Sequence, residues 1–347
     1  MSTPDITILG GGIFGLSVAW ACLGRGARVR VIEKRSIGAG ASGGIVGALA
    51  PHTPENWNDK KQFQFDSLIM ARSFWPEVED ASGLPSGYIR SGRLQPIPDA
   101  RSLELAHQRA AGAQELWHDK AEWVVTDEAQ SNWTPPSPTG QWIHDTLSAH
   151  IHPRHAVTAL AKAFENKGGE LVFGPQKSHG TIVHATGYEG LLDLSAKMDQ
   201  PVGNGVKGQA ILLDHDAGNL PQLYADTLHI VPHHDGTVAI GSTSEREFET
   251  PDDTDIQLDD IHARAIKTIP ALAQARVLER WAGVRPRAKS RAPMLGHHPL
   301  HKGHFIANGG FKIGFGMAPK AGQVMADLIL EGRDEIPDSF KPAASLR

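Results

Sequence analysis

The apolar positions of the N-terminal region fall into two dense runs separated by glycine. Ile6, Thr7, Ile8 and Leu9 are apolar or β-branched with no polar alternation, the pattern of a strand buried on both faces. Gly10, Gly11 and Gly12 break the run into a turn. From Ile13 to Leu23 the residues are apolar or small, which predicts a buried helix ended by Gly24–Gly26. Val29, Val31 and Ile32 within Arg28–Glu33 predict a second strand, completing a βαβ unit. Further on, Asp59–Trp75 and His155–Lys167 have helical spacing. Leu171–Phe173, Thr181–Val183, Ile211–Leu213, Leu228–Val231 and Thr237–Ile240 read as strands, the last two joined by a turn at Asp235–Gly236. Residues 256–275 and Ala318–Leu330 predict helices, the second stopped by Gly332. Residues 76–145 carry mixed signals with Pro-rich breaks.

Composition changes this picture little. The chain has 347 residues, 40% apolar and 21% charged, as in an ordinary globular protein. Its 34 basic and 39 acidic residues give 34 − 39 = −5, which argues against a nucleic-acid partner. Cys22 is the single cysteine, so no intrachain disulfide can form. No leader pattern precedes Ile6, and the run from Ile6 to Leu23 is too glycine-broken for a membrane span, so the cytoplasm is the expected compartment.

Gly10-x-Gly12-x-x-Gly15 follows a strand and opens a helix. That spacing lets the chain turn tightly at Gly10, approach a pyrophosphate at Gly12 and pack helix on strand at Gly15. Ile13 and Phe14 begin the helix, whose free N–H groups favour an anion. Glu33 ends the second strand where a carboxylate accepts from a ribose hydroxyl and disfavours a 2′-phosphate, with Lys34 and Arg35 following. This unit specifies an ADP-containing cofactor without separating NAD from FAD.

Other blocks lie downstream. They are Gly38–Pro51 with Ala41-Ser42-Gly43-Gly44, and Ile182-Val183-His184-Ala185-Thr186-Gly187. Gly283-Val284-Arg285-Pro286-Arg287 leads through Ala292–Gly296 to Asn308-Gly309-Gly310 and on to Pro319, with weaker echoes at His229–Pro232 and Ile240–Thr243. In this order they resemble the glycine oxidase / D-amino-acid oxidase superfamily of FAD enzymes, which includes sarcosine oxidase and D-amino-acid dehydrogenases. The resemblance implies an α/β fold: a discontinuous Rossmann-like FAD-binding domain (1–55, 146–195, 281–347) and an α+β substrate domain on an antiparallel sheet (56–145, 196–280). It implies non-covalent FAD, Cys22 standing in the wrong block for attachment. The implied contacts are Ala41, Ser42, Gly43, Gly44, Ala48 and Leu49, then Ala185, Thr186 and Gly187, then Gly309, Gly310, Phe311, Lys312, Ile313 and Gly314. Val172 is the candidate for the adenine side. Gly309–Gly316 leave room for a helix starting near Pro319 to face the flavin, where its dipole stabilises charge developing on reduction.

On the substrate side the resemblance implies that Arg285 grips a carboxylate through its planar fork, with Arg287 as a neighbour. Lys312 stands where relatives often carry arginine, and His229 where they often carry tyrosine. His52 is a candidate for the pocket wall. The implied reaction is oxidation of a C–N bond in glycine, sarcosine or a D-amino-acid-like amine by hydride transfer to flavin N5, the imine then hydrolysing. Electrons pass on to oxygen or a quinone. Gly47-Ala48-Leu49-Ala50-Pro51 is also similar to the flavin domain of a bifunctional wobble-uridine enzyme, leaving a tRNA-modifying alternative. A non-catalytic flavoprotein subunit is a third reading. His297–His304 and His233–His234 are dense in histidine but lack a metal-motif spacing, so no metal is expected; the first run reads as a polar loop, with a zinc site as the minor alternative. Trp117, Trp123, Trp133 and Trp142 suit either a substrate cap or a core.

Overall fold

A six-stranded and an eight-stranded sheet, with a small two-stranded one formed by residues 48–49 and 149–150, organise the chain; the computed structural model describes residues 3–128 and 131–346. The N-terminal unit is β1 (Ile6–Leu9), α1 (Ile13–Gly24) and β2 (Val29–Glu33). β3 (Ala48–Leu49), α2 (Asp59–Ser82), β4 (Arg93–Pro96), α3 (Ala100–Leu116), β5 (Trp123–Thr126), β6 (Trp142–Asp145) and β7 (Ala149–His150) follow. Next are α4 (Pro153–Asn166), β8 (Glu170–Phe173), β9 (Thr181–His184) and α5 (Gly187–Lys197). The remainder is β10 (Gly203–Asp214), β11 (Gln222–Ala225), β12 (Leu228–Pro232), β13 (Thr237–Gly241), α6 (Gln257–Thr268), β14 (Arg276–Ala288), β15 (Met294–His297), β16 (Phe305–Asn308) and α7 (Gly314–Glu331).

The first sheet has the order β15-β16-β9-β1-β2-β8, parallel from β16 to β8 with β15 antiparallel at one edge. Ile6 and Ile8 are fully enclosed at its centre, as a strand covered on both faces requires. The second sheet, β14-β10-β13-β12-β11-β4-β6-β5, is antiparallel except for the parallel pair β11 and β4. α6 covers it through Leu258, Ile261 and Ala265, packed on Ile211, Leu213, Ile230 and Ile240. α2 lies in the stretch read from sequence as substrate domain, yet Phe65, Leu68 and Trp75 join α1, α4 and α7 in one core.

Several elements differ from the sequence pattern. α2 continues past Trp75 to Ser82 with Pro76 inside it. Burial of Trp75 and Val78 along the continuing face offsets a proline cost of about 3 kcal/mol. Asn58 caps its start and Gly83, at φ 72°, its end. α7 starts at Gly314, so Pro319 lies inside the helix rather than at its first turn. The 256–275 helix stops at Thr268, and Pro270 opens a 3-10 turn. β10 and β14 pair along 203–214 and 276–288, far beyond the Ile211–Leu213 fragment. Trp117 and Trp123 meet edge to face in the core, and the Trp133 and Trp142 indoles donate to the Pro221 and Pro135 carbonyls; all four are buried rather than forming a cap.

Burial also makes the fold acid-sensitive. Desolvation pushes His150 down to about 4 and His229 and His233 down to about 3. The unfolded chain, with histidines near 6.5, binds more protons than the folded chain between that value and about 4. Stability is therefore full above pH 6.5 and lost as pH falls through this window. The melting temperature is expected to drop steadily from pH 7 to pH 5; a flat profile in calorimetry would contradict neutral burial of these imidazoles.

Candidate active site

A cleft of about 670 Å³ runs along the C-terminal ends of the parallel strands. Leu9 of β1 with Gly10 just after it, Ile32 and Glu33 of β2, and His184 of β9 with Ala185 just after it form its floor. This is where open parallel sheets hold ligands. Gly10 sits at φ 115°, and a Cβ there would lie 2.3 Å from the Ala185 carbonyl oxygen. A Cβ on Gly15 would lie 2.1 Å from the Gly10 oxygen, so the turn closes only with glycine at both positions. Glu33 is held by backbone: the Gly11 N–H donates to Oε2 at 2.7 Å and the Arg35 N–H to Oε1 at 2.9 Å.

Three helices begin at the cleft: α1, α5 and α7. None is capped by its own N-cap side chain, Gly12, Thr186 and Ile313 respectively. Their first-turn N–H groups thus leave positive ends toward the cavity. The Ile13 N–H is met by the Ser42 Oγ at 3.0 Å, which ties the Ala-Ser loop to the start of α1.

Trp281, Val284, Arg285 and Pro286 of β14 form the opposite wall with Gly309–Lys312 and Gly314–Gly316. The charged residues of this wall are Arg285 and Lys312, both cations. The Arg285 guanidinium donates to the Ser242 Oγ at 2.7 Å and the Thr243 carbonyl at 3.3 Å. It lies flat over β10, where a Cβ on Gly208 would come within 1.9 Å of Nη1. No carboxylate among the described residues reaches it at ion-pair distance. Burial lowers it to about 10, partly opposed by Glu245, so it stays charged at neutral pH. Burial, then Arg285 and Arg287, lower Lys312 below the usual lysine value.

The structure gathers most of the sequence candidates on this cleft. Gly10, Gly12, Ile13, Phe14, Glu33, Lys34, Arg35, Ala41, Ser42, Gly44 and Ala48 line it, as do Ala185, Thr186, Gly187, Arg285, Gly309, Gly310, Phe311, Lys312 and Gly314. Seven do not. Gly15 and Gly43 pack behind the wall against the Gly10 and Gly38 carbonyls, Leu49 is enclosed in the core, and Ile313 caps α7. Val172 sits on edge strand β8, and the following segment, from Gly174 to Ser178, lines the cleft instead. The His52 ring is held by the Gln64 amide oxygen, turned away from the cavity. His229 packs against Tyr224, its rings 4.8 Å apart, with Nδ1 buried and unpartnered. Arg287 stacks over Phe311 at 5.5 Å, outside the wall.

The family model for FAD dependent oxidoreductases (DAO) matches residues 5–328. The chain belongs to this family. It is 27% identical to the bifunctional protein ThiO/ThiG of Trichormus variabilis, covering 96% of this chain and 54% of that protein, so it spans about half of that relative's length. It is 32% identical to the glycine oxidase of Pseudomonas putida, with 97% of each chain covered. The structure of glycine oxidase from Geobacillus kaustophilus superposes with a TM-score of 0.85 at 20% identity, over 98% of each chain.

The family cofactor is FAD, and the cleft fits it. The volume lies in the range of cofactor sites, the helix ends face inward, and Gly10 and Gly12 keep the turn free of side chains. Several lining residues escaped the sequence reading. Trp281 and Phe315 carry no motif signal, and His184, His298 and His301 were read as part of a strand and a polar loop. Gly208 and Gly283 lie inside strands, where glycine marks close approach of another group; here these groups are Arg285 and Trp281. No helix among the described residues is long and apolar enough to cross a membrane.

Proposed function

We propose that this chain is an FAD-dependent oxidoreductase acting on the C–N bond of a small amino acid or secondary amine that carries a carboxylate. The observation that supports this best is the cationic wall, with Arg285 half-buried, charged and without a carboxylate partner among the described residues. A partly desolvated cation in that state calls for an anion. Arg285 holds the substrate carboxylate bidentately, and Lys312 adds a point charge beside it. The same excess of positive charge disfavours an ammonium in the cleft, so the amine is bound neutral, the form that can give up a hydride. FAD, when bound, accepts that hydride and its two electrons. Trp281 and Phe311 exclude water around the reacting carbon, and the imine is released to hydrolyse. Proton transfer by a side chain is not required at this step.

On the cofactor side, the α1 N-terminus would hold the pyrophosphate, Glu33 the ribose, and the α7 N-terminus would stabilise charge on the flavin. Glu33→Gln is expected to weaken FAD binding roughly 10- to 100-fold, because a charged acceptor is lost from two backbone donors and a hydroxyl. Titration of the apoprotein with FAD measures this; unchanged affinity would place the ribose elsewhere.

The comparisons favour amino-acid oxidation over a tRNA-modifying role, since the relatives include glycine oxidases and ThiO proteins. The test is an anaerobic screen of the flavoprotein with glycine, sarcosine, proline and D-amino acids. At least one should bleach the visible flavin band. If none does, the reading is wrong.

A further inference from the structure

Away from the cleft, three side chains converge from two distant segments. His152 caps the start of α4, and His233 and Asp235 lie on the turn between β12 and β13. Their ligand atoms all lie within 4.8 Å of one another. His152 Nε2 is 3.6 Å from Asp235 Oδ2. Sequence spacing gave no hint of this, since the two segments meet only through the fold.

The hydrogen bonds around the trio fix its chemistry. The Thr237 hydroxyl donates to Asp235 Oδ1 at 2.8 Å, because an ionised carboxylate can only accept. That hydroxyl has one proton, so toward His233 Nδ1, 3.0 Å away, it must accept. His233 therefore carries its proton on Nδ1, and its Nε2 bears a bare lone pair. That atom is buried and has no partner, on a residue only 1% exposed. A buried acceptor left empty is costly unless something fills it. Thr237 thus acts as the outer partner that metal-bound histidines and carboxylates normally have, orienting both ligands at once. The second oxygen of Asp235 is left facing His152.

We infer that His152, His233 and Asp235 form a binding site for a divalent transition metal of the zinc class. Two imidazoles and a carboxylate suit that class better than calcium or magnesium, which take all-oxygen shells. Bonds of about 2.1 Å place tetrahedral ligands about 3.4 Å apart, so the side chains close slightly on binding. His152 must shift its proton to Nδ1, giving up the long 3.3 Å cap from the His155 N–H. The fourth position falls to water or to His155, whose ring stacks on His152 with centroids 3.7 Å apart. Asp235 is exposed and gives the ion a path in. The ion would staple the β12–β13 turn of the large sheet to α4. Its next residues brace the cofactor cleft: Pro153 lines it, and Arg154 donates to the Gly43 carbonyl at 2.8 Å.

The test uses untagged flavoprotein, stripped with a chelator, incubated with Zn²⁺ and passed through gel filtration. Elemental analysis should find one zinc per chain, and the melting temperature should rise by several degrees. Asp235→Asn, on an exposed turn where folding is not at risk, should weaken zinc binding at least roughly tenfold and remove most of the thermal shift. His233→Gln should do the same, while His301→Ala, in the other histidine cluster, should retain zinc. Absence of stoichiometric zinc in the parent protein would overturn the site. So would equal retention by Asp235→Asn, or loss of the zinc in His301→Ala.

Discussion

Replacing Arg285 by methionine is expected to lower kcat/KM for amino-acid substrates by roughly 10²- to 10³-fold while leaving the flavin bound. The size follows from the loss of a buried, bidentate, charge-assisted contact, worth about 2–5 kcal/mol. Methionine fills a similar volume over Gly208 without restoring charge. Arg285→Lys should recover only part of the loss, since an ammonium cannot match both carboxylate oxygens. The decisive comparison is an amine lacking the carboxylate, which both proteins should oxidise at similarly low rates. If the substitution slows such an amine as much as it slows the amino acid, Arg285 does not hold the carboxylate. Visible absorbance checks that FAD content is unchanged.

Gly10→Ala is expected to yield protein without FAD, with affinity reduced more than about 100-fold. Two costs combine. The residue stands at φ 115°, where an L side chain is strained. The new methyl would also lie 2.3 Å from the Ala185 carbonyl, on the neighbouring strand that forms the cleft floor. Backbone, unlike a flexible side chain, cannot swing aside, so β1 and β9 would have to separate where the cofactor lies. Gly24→Ala, at the end of the same helix with nothing within 4 Å, is the control and should keep its flavin. A normal flavin absorbance ratio in purified Gly10→Ala protein would show that the turn tolerates a side chain.

The legible and illegible parts of this protein divide along a physical line. The β1–α1–β2 unit could be read because its information is local. Gly15 answers to the Gly10 carbonyl of the same turn, and the apolar runs report burial directly. β10 and β14 were hidden because Gly205, Lys207, Gly208 and Gln209 resemble a loop until the partner strand is present. α5 was missed because it opens on a glycine and buries only Leu191 and Leu194 fully, too few to show a periodic apolar face. The ends of α2 and α7 were misplaced because each carries a proline that burial overrides.

By itself the sequence determined the glycine turn, the order of its motif blocks and the presence of Arg285. From these came the cofactor, the fold class and the reaction type. Tertiary structure decided which side chains face the cavity. His52 was captured by Gln64, twelve positions on, and His229 was turned against Tyr224. It also decided that His152 meets His233 and Asp235, because only the packing of α4 against a hairpin of the other sheet brings those atoms within reach. Local turn chemistry is written in neighbouring residues, whereas the direction of a side chain is set by whatever the rest of the chain packs against it.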